Sequence, residues 1–156
     1  MLHIREDDLS GEATRALVAL HLHGMHASSP PEYAFALDLT GLQAPGVTVW
    51  SAWDGVELAG IGALKDHGDG LGEVKSMRTH PAHLRKGVGA AMLEHIIGEA
   101  RARGLDRLSL ETGSGAPFEA ALNLYRKRGF IDGGPFADYR PSDFNQFLHM
   151  SLSPAS

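Results

Sequence analysis

The sequence predicts one α/β domain over residues 1–156, built on a mixed, mostly antiparallel sheet with a central parallel β-α-β crossover and helices on both faces. Three observations carry that prediction. A strand-like run, Gly72 to Thr79, leads into a basic loop with two glycines that opens a helix. That helix is followed by a second strand, Leu105 to Thr112, so strand, helix and strand form a parallel crossover unit. Upstream, Asp54-Gly55 between two apolar runs signals an antiparallel hairpin.

Each element has a local reason. Leu2 to Arg5 reads as a short first strand. Ser10 is placed to cap a helix running through Leu17, Leu20 and His21 to about His23. Ser28-Ser29-Pro30-Pro31-Glu32 breaks it, and a short helix is expected around Tyr33 to Leu39. Val47 to Trp53 is rich in β-branched and aromatic residues and reads as a strand, with Val56 to Leu64 pairing back on it. After the glycines, Val88, Met92, Leu93, Ile96, Ile97 and Ala100 form one apolar stripe at helical spacing. Phe118, Ala121, Leu122 and Tyr125 mark another stripe, ended by Gly129. Phe130-Ile131 and Gln146 to Leu152 read as the final strands. No repeat, linker or second domain is visible.

Composition bounds the function. The chain has 156 residues, 43% hydrophobic and 21% charged, with a formal net charge of −5. That balance suits an ordinary globular protein and disfavours nucleic acid as a partner. There is no cysteine, hence no disulfide framework and no thiol nucleophile. The charged start Met-Leu-His-Ile-Arg-Glu-Asp-Asp does not resemble a signal peptide, and no apolar run approaches the ~20 residues that span a bilayer. The expectation is a cytoplasmic protein with no membrane partner.

The segment Met77-Arg78-Thr79-His80-Pro81-Ala82-His83-Leu84-Arg85-Lys86-Gly87-Val88-Gly89-Ala90 is the most informative in the chain. The first N–H groups of a helix lack intrahelical partners, and the helix dipole is positive at that end. Glycine lets the backbone approach an anion closely, and Arg85 and Lys86 add charge. Together these describe a pyrophosphate cradle. It is not a P-loop, because Ala90-Ala91 follow Gly89 where that motif needs Lys-Ser or Lys-Thr. A dinucleotide fingerprint needs a small residue at the position of Met92 and its glycines directly after the strand.

Leu84-Arg85-Lys86-Gly87-Val88-Gly89 resembles the Gln/Arg-x-x-Gly-x-Gly/Ala signature of the GNAT superfamily of N-acetyltransferases, with Leu84 in place of Gln or Arg. Downstream, Ala121-Leu122-Asn123-Leu124-Tyr125-Arg126-Lys127-Arg128-Gly129-Phe130 resembles that family's Ala-x-x-Leu-Tyr-x-x-x-Gly-Phe, with Phe118 where the family usually has Asn. The resemblance covers essentially the whole chain. Ser29-Pro30-Pro31-Glu32, Leu110-Glu111-Thr112-Gly113 and Gly134-Pro135-Phe136-Ala137-Asp138-Tyr139 are similar to segments of a group of small bacterial-type acetyltransferases.

The resemblance implies acetyl-CoA as co-substrate, held by Met77, Arg78, Thr79, Arg85, Lys86, Gly87, Val88, Gly89, Ala90, Asn123 and Tyr125, and a small-molecule or peptide amine as acceptor. It implies direct attack in a ternary complex, since no cysteine is present for a covalent intermediate. The alternative is an acyl-CoA-binding module without turnover. Homodimer formation is compatible with either.

Amine acetylation sets three demands. A lysine-like amine, with a pKa of ~10.4, is less than about 0.1% neutral at pH 7 and must lose a proton. The thioester oxygen needs a donor as it becomes an oxyanion. The departing thiolate needs a proton or a hydrogen bond. By resemblance, Tyr125 serves the thiolate, against its plain alternative as a core aromatic. A backbone N–H near Met77, where such proteins bulge their fourth strand, serves the oxyanion. The base is Glu111 or Glu73, or a water chain with no single base. Alternation puts Glu73, Lys75 and Met77 on one strand face, and a Glu73–Lys75 pair would be a surface ion pair of little worth.

The nine histidines do not spell a metal site: a helix sets His21 and His23 on different faces, and His80 and His83 flank Pro81. Asp66-His67-Gly68-Asp69-Gly70 lacks the bidentate Glu of a calcium loop and reads as a turn. No metal is expected. Trp50 and Trp53 read as strand packing. Asp138, Tyr139 and Arg140 precede the last strand, where related proteins bind the acceptor.

Overall fold

The computed structural model describes residues 1–152. Its strands are β1 (Leu2–Glu6), β2 (Val47–Asp54), β3 (Glu57–Asp66), β4 (Leu71–Thr79), β5 (Arg107–Thr112), β6 (Ile131–Gly133) and β7 (Gln146–Ser151). Its α-helices are α1 (Glu12–Ser28), α2 (Leu39–Leu42), α3 (Val88–Ala102) and α4 (Glu119–Arg128). Among the described residues the strands form one sheet in the order β1-β2-β3-β4-β5-β7-β6. Only β4 and β5 run parallel, with α3 as their crossover. The hairpin joining β2 and β3 turns through Gly55-Val56, and Gly55 takes φ +62° at the first central position.

Two apolar clusters cover the two faces. Val88, Met92, Leu93, Ile96, Ile97 and Ala100 of α3 are all essentially fully buried, with Leu122 and Tyr125 of α4, against Leu64, Val74, Leu108, Leu110 and Leu148. Burying each large side chain contributes roughly 1.5–3 kcal/mol, so this stripe seats the start of α3 against the sheet. The seat is close: a Cβ on Gly60 would lie 2.7 Å from Val88 Cγ1, and one on Gly62 would lie 2.6 Å from Met92 Cγ. On the other face, Leu17 and Val18 of α1 and Leu42 of α2 cover Val49, Leu58, Ile61 and Ala63. Trp50 is buried in the first cluster and Trp53 packs against the second, so both serve strand packing.

Local expectations differ from the structure at three places. Helix α1 begins one residue after Gly11, which makes no side-chain cap; Ser10 Oγ instead donates to Asp8 Oδ1 at 2.6 Å. The helix runs on to Ser28, past the expected end near His23, which brings Gly24 and Ser28 into the lining of the cleft described below. No helix spans Tyr33 to Leu39. A 3-10 turn covers Pro31–Tyr33, and α2 starts only at Leu39, capped by Asp38 Oδ1 accepting from Gly41 N at 2.8 Å. Between them the chain turns its aromatics onto distant partners: Phe35 lies 5.0 Å from the Tyr139 ring and Tyr33 6.3 Å from that of Phe144. Tertiary packing there overrides helix propensity.

The third difference is on β4. Opposite β3, Lys75 faces Ala63 and Arg78 faces Ile61, so Ser76 and Met77 together oppose Gly62. This is a β-bulge, with Ser76 at φ +55°. Simple alternation is therefore broken, and Met77 does not share a face with Glu73 and Lys75. Met77 Sδ reaches the α3 side, 3.0 Å from the Cβ position of Gly62, while Arg78 swings to the α1 side.

Candidate active site

The sheet opens where β4 and β5 part. They pair at Leu71–Arg107, Gly72–Leu108 and Glu73–Ser109, and no further. Beyond that point β4 bulges and β5 continues into Leu110, Glu111 and Thr112 along β7. The gap becomes a cleft of about 420 Å³, lined among others by Glu73, Lys75, Met77, Arg78, Thr79, Glu111 and Tyr125.

At one end lies the start of α3. Gly87 occupies the N-cap position at φ +77° with no side-chain cap, and Arg85 is also left-handed at φ +63°. The first N–H groups of α3 therefore have no side-chain acceptor, and the turn before them is a concave backbone nest suited to an anion. Arg85, Lys86 and Ala90 are exposed around it, whereas Val88 is buried as the helix anchor. Gly89 lines the cleft, and a Cβ there would come within 3.2 Å of Leu124 Cδ2 and 3.9 Å of Thr79 Oγ1. These groups fit a diphosphate: uncapped donors, a dipole of the right sign and two cations with no ion-pair partner among the described residues. Asn123 is exposed on α4 beside Leu124 and does not line the cleft.

In the middle, Tyr125 is buried on α4 with its ring 5.8 Å from that of Phe130. Burial pushes its hydroxyl well above the ordinary tyrosine value, so it stays protonated at neutral pH.

At the other end two carboxylates differ sharply. Glu73 is 2% exposed and fully engaged. Its Oε1 meets His67 Nε2 at 2.8 Å, and its Oε2 accepts from Lys75 Nζ at 3.2 Å and from Tyr139 Oη at 2.5 Å. Lys75 Nζ also donates to Tyr139 Oη at 2.9 Å. The Glu73–Lys75 pair is thus interior, with side chains 2% and 9% exposed, rather than the surface pair that alternation suggests. Glu111 is half-buried, and its Oε2 is buried with no hydrogen-bond partner among the described residues. Burial, helped by the nearby Glu73 charge and opposed by Lys75, pushes its pKa up to about 7.

Sequence reasoning did not find His67, which comes from the turn before β4, or the pairing of Arg78 with α1. Arg78 Nε donates to His21 Nδ1 at 2.9 Å. Burial, together with the Arg78 and Lys75 charges, lowers His21 to about 4, so its ring is neutral. His23 and His26 are exposed on the same helix, and among the described residues no group of three or more His, Asp or Glu is placed to hold a metal.

The family model described as Acetyltransferase (GNAT) family matches residues 14–130. The chain belongs to the GNAT acetyltransferase family. It is 53% identical over 152 residues to the uncharacterized N-acetyltransferase YedL of Escherichia coli strain K12, covering 97% of this chain and 96% of that one. A solved structure described as an acyl-CoA N-acyltransferase from Klebsiella pneumoniae superposes with a TM-score of 0.82 at 27% identity, covering 98% of this chain and 99% of the other. A Bacillus subtilis acetyltransferase solved in complex with CoA shares the fold, with a TM-score of 0.74 at 20% identity, covering 98% of this chain and 100% of that one. This GNAT member is an N-acetyltransferase, and its uncapped α3 and bulged β4 stand where its sequence signature leads. No helix among the described residues is long and apolar enough to cross a membrane.

Proposed function

We propose that this enzyme transfers the acetyl group of acetyl-CoA to the primary amine of a small molecule by direct attack in a ternary complex. One observation supports the reading: a single cleft joins the anion-binding start of α3, the buried Tyr125 and a carboxylate poised near neutral pH with one oxygen unpartnered among the described residues. A binding module without turnover would have no use for that carboxylate.

The co-substrate supplies an acetyl thioester. The backbone of Arg85 to Gly89 holds its diphosphate, and Met77 to Thr79 line the path between β4 and β5. The bulge at Ser76–Met77 frees backbone N–H groups from the regular ladder, and one of these donates to the developing oxyanion. Glu111 takes one proton from the bound ammonium and passes it to solvent. The neutral nitrogen then forms its bond to the acetyl carbon, and the carbon–sulfur bond breaks. Tyr125 supplies a proton or hydrogen bond to the thiolate, and the nitrogen releases its second proton. The ammonium and acetyl-CoA thereby become the amide, the free thiol and one proton. Glu73, with both oxygens already bonded inside the protein, acts as the scaffold that fixes Lys75 and Tyr139.

Initial rates of thiol release over a grid of acetyl-CoA and amine concentrations test the mechanism. Intersecting double-reciprocal lines are expected. Parallel lines would indicate a covalent acetyl-enzyme and contradict direct attack. Absence of thiol release with every amine tried would leave only the binding module.

A further inference from the structure

The lining of the cleft carries an unbalanced positive charge. Four charged side chains line the cleft: Glu73, Lys75, Arg78 and Glu111. Glu73 and Lys75 neutralise each other. Glu111, shifted to about 7, is charged for only part of the time near neutrality. Arg78 has no carboxylate among its partners in the described residues; its one side-chain hydrogen bond runs from Nε to a neutral imidazole. That bond fixes the guanidinium plane and leaves both Nη groups available. The side chain lies on the α1 face, opposite the face where α3 begins, so its charge does not belong to the diphosphate cradle. A half-buried guanidinium without a counter-ion costs free energy unless a ligand supplies one. A planar guanidinium with a free fork matches a carboxylate by two parallel hydrogen bonds.

We propose that the acceptor is a free α-amino acid, its carboxylate paired with Arg78 while its amine faces Glu111. The proposal rests on the acetyl-transfer reading above and narrows it. His21 is a positioning residue here: as a neutral acceptor for Nε it aims the fork without cancelling its charge. Met25, Phe35 and Ile61 add apolar surface to the same cleft, which favours an apolar side chain on the amino acid.

The test compares leucine with leucinamide, and phenylalanine with phenylalaninamide, in a thiol-release assay on the wild-type enzyme and on Arg78→Gln. The amides keep the amine and side chain and lack the carboxylate. The wild type is expected to use each acid with a kcat/KM at least tenfold above its amide. Arg78→Gln is expected to raise KM for the acid at least tenfold, with kcat changed less than threefold, so that acid and amide become equal. Retained stabilisation by CoA shows that the variant is folded. If it is not, the acid-to-amide ratio of the wild type decides alone. Equal use of acid and amide by the wild type would overturn the carboxylate pairing while leaving amine acetylation standing. No thiol release with any amine would overturn both.

Discussion

Glu73 and Glu111 lie on the same face of the sheet, Glu73 at the last paired position between β4 and β5 and Glu111 just beyond it. Two residues of strand register, from Ser109 opposite Glu73 to Glu111, separate their roles. At the paired position the carboxylate is enclosed and takes three side-chain partners. Past the splay, the other carboxylate meets the cleft with one oxygen unpartnered. The backbone geometry of the parallel pair thus sorts one glutamate into structure and the other into chemistry.

The cradle gives the first prediction. Acetyl-CoA at 100 times its Kd should stabilise the wild type by about 2.7 kcal/mol. In Gly89→Asp a side chain and a negative charge enter beside Thr79 and Leu124, and a thermal-shift titration should show that stabilisation gone.

Tyr125 is the second. Its buried hydroxyl stays protonated and so can donate. Tyr125→Phe should lower kcat by ~10²–10⁴ with CoA affinity nearly unchanged. Wild-type turnover would reduce Tyr125 to its packing against Phe130.

Glu73→Gln should act mainly on the fold, without abolishing the pH-dependent limb. It leaves Lys75, 9% exposed, without its counter-ion, a change that costs roughly 3 kcal/mol when a buried pair is broken. Chemical denaturation should read that loss. The surviving enzyme should keep the rising limb of kcat/KM but show it at lower pH, because the Glu73 charge that helps raise Glu111 is gone and Lys75 is left to lower it.

Glu111 also sets a stability trend. Its folded value, about 7, lies above the ordinary 4.5, so the folded state holds the proton more tightly than the unfolded one. The stability it contributes is full below about 4.5 and is lost as pH rises through 7. Glu111→Gln removes that loss. Its Tm should exceed that of the wild type at pH 8, by the equivalent of roughly 1–3 kcal/mol, and the gap should shrink toward pH 5.

Much of this was legible in the sequence because its signals are local. The stripe from Val88 to Ala100 needs only helical spacing, and the cradle needs only Gly87 and Gly89 at a helix start. The pairing of Tyr139 with Glu73 and of Arg78 with His21 spans long loops, and no periodicity encodes it. The bulge near Met77 was expected only from the family resemblance; the residues themselves give no signal for it, because the left-handed residue is Ser76, where a glycine would have given one. Simple alternation, which ignores the bulge, placed Met77 on the wrong face and hid Arg78's turn toward α1. The missing helix at Tyr33 to Leu39 has a similar cause, since its aromatics pack on the distant Tyr139 and Phe144 as well as on each other.

The division of labour between the two glutamates is tested most directly by the pH dependence of kcat/KM for the wild type and Glu111→Gln. The wild type should rise through a pKa near 7, the value burial gives Glu111. The variant should lose that limb and recover only toward pH 10, where the amine deprotonates unaided. A variant that kept the limb near 7 would contradict the assignment of Glu111 as the base.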